Sequence, residues 1–595
     1  MANLMKTLLV ITATWLGGCA TNSLQQSSSQ RVDIDSHMVL ATIAQERQNG
    51  PEAAEHYLAA ALISDDPSLA ELTAEFAQQL DLTEIGLQAA ERWQTLTPYD
   101  PRVHQFLGIF RLRSGDPDGA VEEFEQLLAA TENQTAALAF LIEFLANESD
   151  TQTTISIVSQ LVTKYPGSSE GHYGLARLGL RSGDYPLALE NAERAVELRP
   201  EWVEAQLLYA RVLLLTGSIE EGLALAESIA EEQPELEVRL QYAELLLSAG
   251  HHEPARALLD DILAQNPGLP EAVRALAFLT LTLNDLDASK GHFNELRSQS
   301  RYRDEAFFYL GRIAESEDQP LQGMRFYSRV TSGNNAVEAQ LRAANLLFGA
   351  LGDQNGALQH LREFGIANPD YSTEMLIAEA EILLRLRREE EAMQLMMNAV
   401  ADSPSDESLR NSHIQLYIAI AQGAIGREEL DAAQETLTDG LQRYRGNRSL
   451  RYAQAIFYQE QGRNRRSANA LQSLVRDEPD DAELLNALGY LLTDRMNRHE
   501  EALGYLEEAL ALEPDNAAII DSMGWVLFNL GDYEAALGHL ERAYEIFPDP
   551  EVAAHIVDTH WSLGNREQAL ELLQQKLQES PDSPHLKELD QRLAP

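Results

Sequence analysis

Apolar and polar positions recur along most of the chain with a period near 34 residues. The pattern is plainest in two consecutive segments, AELLNALGYLLTDRMNRHEEALGYLEEALALEPDN and AAIIDSMGWVLFNLGDYEAALGHLERAYEIFPDP. Each carries a Leu-Gly or Met-Gly pair, a turn, an Ala-Leu pair, a further alanine and a closing proline. Pro514 and Pro548 stand 34 apart. Each segment reads as helix, turn, helix. Gly524 is small where the two helices of a unit approach each other. Gly531 ends the first helix, where a left-handed backbone costs glycine little. Ala536 and Ala543 let the second helix pack closely on its neighbours, and Pro548 stops it.

The same phase runs back towards the N-terminus. Pro166, Pro200 and Pro234 are 34 apart and Pro267 follows after 33. Gly183, Gly217 and Gly250 mark turns, and Leu107-Gly108 and Leu310-Gly311 repeat the Leu-Gly pair. Sixteen units are expected, from 34–66 to 551–584. They divide into degenerate units at 34–168, central units at 169–447 and well-formed units at 448–595, where DSPHLKELDQRL caps the array. The unit at 407–447 is about seven residues too long, which predicts extended helices or a kink. The motif and its period resemble the tetratricopeptide repeat. That resemblance implies an all-α solenoid wound into a right-handed superhelix, in which stacking neighbours build one continuous core.

The N-terminus follows a different pattern. Lys6 precedes the apolar run TLLVITATWL, which is too short to span a bilayer and ends in small residues. Leu16-Gly17-Gly18-Cys19 resembles the bacterial lipobox. Residues 1–18 are therefore expected to be a lipoprotein signal peptide, with Cys19 as the lipid-attachment residue; its thiolate is the nucleophile for thioether formation. By the same resemblance, Ala20 after the cysteine implies sorting to the outer membrane, on its periplasmic face. Residues 19–33, rich in Ser and Gln, read as the lipidated cysteine and a flexible tether. Cys19 is the chain's one cysteine, so there is no internal disulfide and no Cys-x-x-Cys pair.

Charge narrows the partners. The balance is 94 Asp+Glu against 45 Lys+Arg, a net −49, which opposes nucleic-acid binding. No HExxH, Gly-rich phosphate loop or Ser-x-x-Lys motif is present. His251-His252 sits at an expected turn, and adjacent residues do not share a helix face. No catalytic residue, metal site or cofactor is expected, and the chain is read as a non-enzyme that binds proteins.

The period assigns inward-facing positions on the first helices to Tyr173, Arg177, Arg211, Arg274, Phe308, Arg312, Arg342, Tyr452, Tyr490, Trp525 and Phe528. An arginine ladder edged with aromatics suits an extended or acidic polypeptide. Neighbouring inward positions hold Glu204, Glu237, Glu244, Glu271 and Glu305, so internal pairing competes with ligand contact. A separate basic run holds Arg443, Arg445, Arg448, Arg451, Arg463, Arg465 and Arg466 against one acid, Glu460. It is a candidate patch for an acidic partner or anionic lipid, or a solvated face.

The lipobox, the long array and the Gly-Trp unit DSMGWVLFNLGDYEAAL followed by PDPEVAAH resemble a narrower family. Its members are outer-membrane lipoprotein partners of a periplasmic carboxyl-terminal processing protease in pseudomonads and relatives. The resemblance implies an adaptor that binds the protease and presents peptidoglycan cross-link hydrolases, so regulating cell-wall remodelling. The alternative is a repeat lipoprotein that scaffolds outer-membrane or pilus assembly.

Overall fold

The structure is a computed structural model that describes residues 28–593 apart from 147 and 149. The signal peptide, Cys19 and most of the tether lie outside the described residues. Among the described residues there are 33 α-helices, one 3₁₀ turn and no strand. Within each compact unit successive helices pack as antiparallel hairpins, as with Ser169–Ser182 on Tyr185–Leu198 and Ala517–Leu530 on Tyr533–Ile546, and Pro584–Leu593 packs on the last pair.

Local sequence explains where helices start and stop. Asp66, Asp100 and Asp116 accept hydrogen bonds from first-turn backbone N–H groups, and Pro67, Pro101 and Pro117 follow at the first helical position. First helices end on left-handed residues such as Gly183 and Gly531. Non-glycine residues stand at the same turn in other hairpins, as with Asn284, Asp318 and Asn497. Close approach fixes Gly524, because a Cβ there would meet Leu540 Cγ at 2.6 Å. Second helices contribute fully buried alanines, among them Ala188, Ala536 and Ala543.

Two compact units divide the chain, residues up to Leu296 and residues from Arg297. The first is cored by side chains such as Trp93, Phe110 and Phe124, the second by Tyr327, Tyr417 and Phe457. Two details correct or refine the sequence reading. The first helix is Ser28–Glu46, so residues 28–33, expected in the tether, are helical. In the long unit the surplus residues extend one helix, Glu407–Gly426, to 20 residues where its hairpin partner Leu430–Arg443 has 14. Leu409, Ile414, Tyr417, Ile420 and Ala424 are buried along its length.

Candidate functional site

The turn geometry gives each first helix a common reference point. Counting six residues back from the left-handed residue at its end leads from Gly183 to Arg177, from Gly217 to Arg211, from Asp318 to Arg312 and from Gly531 to Trp525. Three arginines and the tryptophan thus hold one repeat position. The arginines are exposed and the tryptophan is half-buried.

In the first compact unit this face is polar and open. Arg177 pairs with Glu143 at 2.7 Å, and its guanidinium lies 5.9 Å from the centroid of the Tyr173 ring. Tyr173 in turn packs on Trp202 at 4.6 Å, and Arg199 covers Trp202. Arg211 has no carboxylate within ion-pair distance among the described residues. It lines a hollow of about 330 Å³ with Glu237, Glu244, Glu271 and Gln241, supplied by three successive first helices. Those helices are Val203–Leu215, Leu236–Ser248 and Pro270–Thr282. Arg274 lies 4.8 Å from the Phe278 ring centroid.

In the second compact unit the corresponding positions hold Arg312 and Arg342. Arg312 is exposed without a carboxylate in ion-pair reach among the described residues, whereas Arg342 is held by Glu315 at 3.1 Å and Glu338 at 2.8 Å. Phe308 is a correction. It is 3% exposed and packs against Tyr327 at 5.9 Å, so it belongs to the core rather than to the face. Phe307 beside it is also buried, and the helix turns both rings inward.

The C-terminal hairpins bring the aromatics together. Trp525 lies between Phe528, stacked at 5.0 Å, and His555 of the next hairpin, stacked at 4.1 Å. His555 is buried and bonds Asp521 at 3.0 Å. Burial alone would lower its pKa, but the hydrogen bond and charge of Asp521 outweigh that and hold it above its ordinary value. Tyr490 donates to Glu551 Oε1 at 2.7 Å, crossing from Ala482–Met496 to Pro550–Ser562. Burial and that carboxylate push the phenol well above its usual range. Tyr452 is half-buried against the same core. Trp525 Nε1 and Asn486 Oδ1 are shut from solvent without a hydrogen-bond partner.

The basic run separates into parts with different surroundings. Arg448 is spent on Asp481, Glu483 and Glu478, the last two at 2.9 and 3.3 Å. Arg451 pairs with Asp477 at 2.7 Å. Arg443 stands beside the buried His413, which bonds Tyr444 Oη at 2.8 Å. Burial, aided by the Arg443 charge, lowers His413 to about 4. Arg445 is exposed, as are Arg463, Arg465 and Arg466. Composition alone missed His555 and Asp521; the repeat phase places both on first helices, where His555 stacks on Trp525 and bonds Asp521.

Models of the tetratricopeptide repeat match residues 173–237, 236–279, 452–517, 495–554 and 527–593. The all-α array has the tetratricopeptide-repeat fold, and the repeat itself is matched within 173–279 and 452–593. This repeat chain is 26% identical over 523 residues to the TPR repeat-containing protein PA4667 of Pseudomonas aeruginosa, covering 87% of this chain and 81% of that one. Among solved structures, it is similar to a chain of the APC/C hetero-tetramer Cut9–Hcn1. There the identity is 15%, the TM-score 0.31, and the shares covered are 89% of this chain and 96% of that one. The structure of Naa15/Naa10 bound to HypK-THB gives 13% identity and a TM-score of 0.33, covering 95% and 99%. Tetratricopeptide repeats imply a scaffold for protein–protein interaction, and the fold is typically non-catalytic.

Proposed function

We propose that this repeat chain is a lipid-anchored adaptor on the periplasmic face of a bacterial outer membrane. It binds a carboxyl-terminal processing protease and presents peptidoglycan cross-link hydrolases to it, which sets the pace of cell-wall remodelling. The observation that carries the reading is one repeat position, held by Arg211 in the first compact unit and by Arg312 in the second, each exposed with no carboxylate within ion-pair distance among the described residues. Guanidinium forks of this kind take carboxylates and backbone carbonyls of a polypeptide. The sequence Leu16-Gly17-Gly18-Cys19 supports the anchor. The likeness to a Pseudomonas aeruginosa repeat protein agrees with the pseudomonad resemblance. The mechanism is effective concentration: protease and substrate held on one tethered array meet far more often than free molecules do. The protease supplies the chemistry.

One experiment separates anchor from adaptor. Tagged full-length chain and its Cys19→Ser variant are expressed in a bacterium with an outer membrane, fractionated and captured. The wild type is expected in the outer-membrane fraction and the variant outside it, with protease and murein hydrolases on both. A variant that stays in the outer-membrane fraction overturns the anchor. Recovery of pilus or barrel-assembly components, with neither protease nor hydrolase, overturns the adaptor.

A further inference from the structure

Away from the first-helix face, two successive turns carry five arginines around one hollow. Arg463, Arg465, Arg466, Arg495 and Arg498 line an open concavity of about 810 Å³. Arg495 pairs with Asp494 at 2.8 Å and Arg498 with Glu501. Arg463, Arg465 and Arg466 have no carboxylate within ion-pair distance among the described residues, and Arg466 lies 5.9 Å from the Tyr458 ring centroid. In a chain with twice as many acids as bases, such a cluster is out of keeping with the composition.

The backbone beneath makes the cluster costlier. Arg463 is the N-cap of Asn464–Asp477 and supplies no capping hydrogen bond; Arg465 and Arg466 stand in its first turn, which holds no acid. Arg498 caps His499–Leu512 in the same uncapped way. A helix N-terminus carries positive partial charge, so arginine there opposes the dipole. Other second helices of this chain place acids at that point, as at Glu220 and Glu221 or Glu389 to Glu391. The first turn of Asn464–Asp477 also holds two buried polar atoms without partners, Asn464 Oδ1 and Ser467 Oγ. Local choices that disagree with the rest of a sequence mark places where something other than stability has been selected.

We propose that this concavity docks an extended acidic segment of a partner protein, its carboxylates seated on the guanidinium forks. Three observations favour a peptide over other anions. The arginines come from two successive repeats, so they suit several anionic groups along one chain rather than a single ion. The arginines surround a concavity rather than lying on one flat face, which follows a strand more closely than a planar bilayer. The net −49 of the chain repels a large anionic surface, whereas a narrow strand entering the hollow sits within about a Debye length, ~8 Å, of the arginines.

The test uses purified full-length chain and a fluorescent polyglutamate peptide, read by anisotropy at physiological ionic strength. Saturable binding is expected, and the triple variant Arg463→Gln, Arg465→Gln, Arg466→Gln should weaken it roughly tenfold or more, from three exposed pairs. The variant's thermal midpoint should not fall, because glutamine removes like charge from the helix end. If it does fall, Arg465→Gln and Arg466→Gln are measured singly, and a loss of affinity in either supports the proposal. Unchanged affinity in all variants overturns it. So does displacement of the peptide by inorganic phosphate at equal concentration, which would mark a single-ion site. Arginine-dependent capture of phosphatidylglycerol vesicles without peptide binding overturns it in favour of lipid.

Discussion

Arg177 and Trp525 hold the same position in their repeats, six residues before a left-handed glycine, yet they serve opposite ends. The arginine keeps its head in solvent, paired with Glu143 across the preceding hairpin. The tryptophan is stacked on both sides and ties its hairpin to the next through His555. One register therefore supplies exposed polar surface in one stretch and a structural seam in another. In a solenoid, stability is close to a sum over neighbouring units and their interfaces. A seam residue governs two hairpins, whereas a surface residue at the same place governs none.

The sharpest way to break this contrast is Trp525→Ala. Removing a half-buried ring stacked between Phe528 and His555 should cost about 2–3 kcal/mol, at or just below the range for large aromatic truncations. The loss should be local. Hydrogen exchange in Ala517–Leu530 and Pro550–Ser562 should accelerate together, while Ser169–Ser182 stays protected. Acceleration confined to Ala517–Leu530 would show that His555 is held without the tryptophan and would remove the seam.

A smaller effect comes from pH, and it has opposite signs at two histidines. His555 is held above its ordinary value near 6.5 by Asp521, with Glu551 and Asp558 adding to the field. Its contribution to stability is complete below about pH 6.5 and disappears as pH rises through its raised value. His413 is lowered to about 4, by burial first and then by Arg443, against Asp439. Its neutral ring stabilises the long helix above pH 6.5, and that contribution falls away between about 6.5 and 4. Passing from pH 7.5 to 5.5 should protect the amides of Pro550–Ser562 and deprotect those of Glu407–Gly426. Asp521→Asn should abolish the first change alone. A shift of both helices in the same direction would refute the contrast.

The helical hairpins and the long unit were legible because Pro and Gly punctuate helices through backbone geometry, which needs no tertiary context. The side-chain roles were less legible. Phe307, Phe308 and Tyr309 are consecutive, and no rule of spacing says which ring a neighbouring hairpin will cover; contact with Tyr327 decides for Phe308. The seam escaped because its halves, Trp525 and His555, are 30 residues apart and belong to different repeats. The arginine hollow escaped in part for the same reason. A run of like charge was visible from Arg443 to Arg466, but spatially it gives up Arg448 and Arg451 to acids and recruits Arg495 and Arg498 from the next turn. Projecting each turn residue forward by one repeat, as from Arg463 to Arg498, would have found them.

The smallest effect tests the other half of the comparison. Arg177→Ala removes an exposed ion pair and a cation–π contact, each worth little in solvent, so stability should change by less than about 1 kcal/mol. Its neighbour Tyr173 keeps its packing on Trp202 at 4.6 Å, and the helix Ser169–Ser182 keeps its buried face of Leu175, Ala176, Leu178 and Gly179. What should change is recognition. If the first-helix face binds a polypeptide, partner affinity falls in Arg177→Ala while the urea midpoint holds. If Arg177 serves only to pin Glu143, the variant loses stability and leaves affinity untouched, and Glu143→Gln reproduces it. The two readouts move independently, so measuring both on one variant decides whether this register is surface or seam at Arg177.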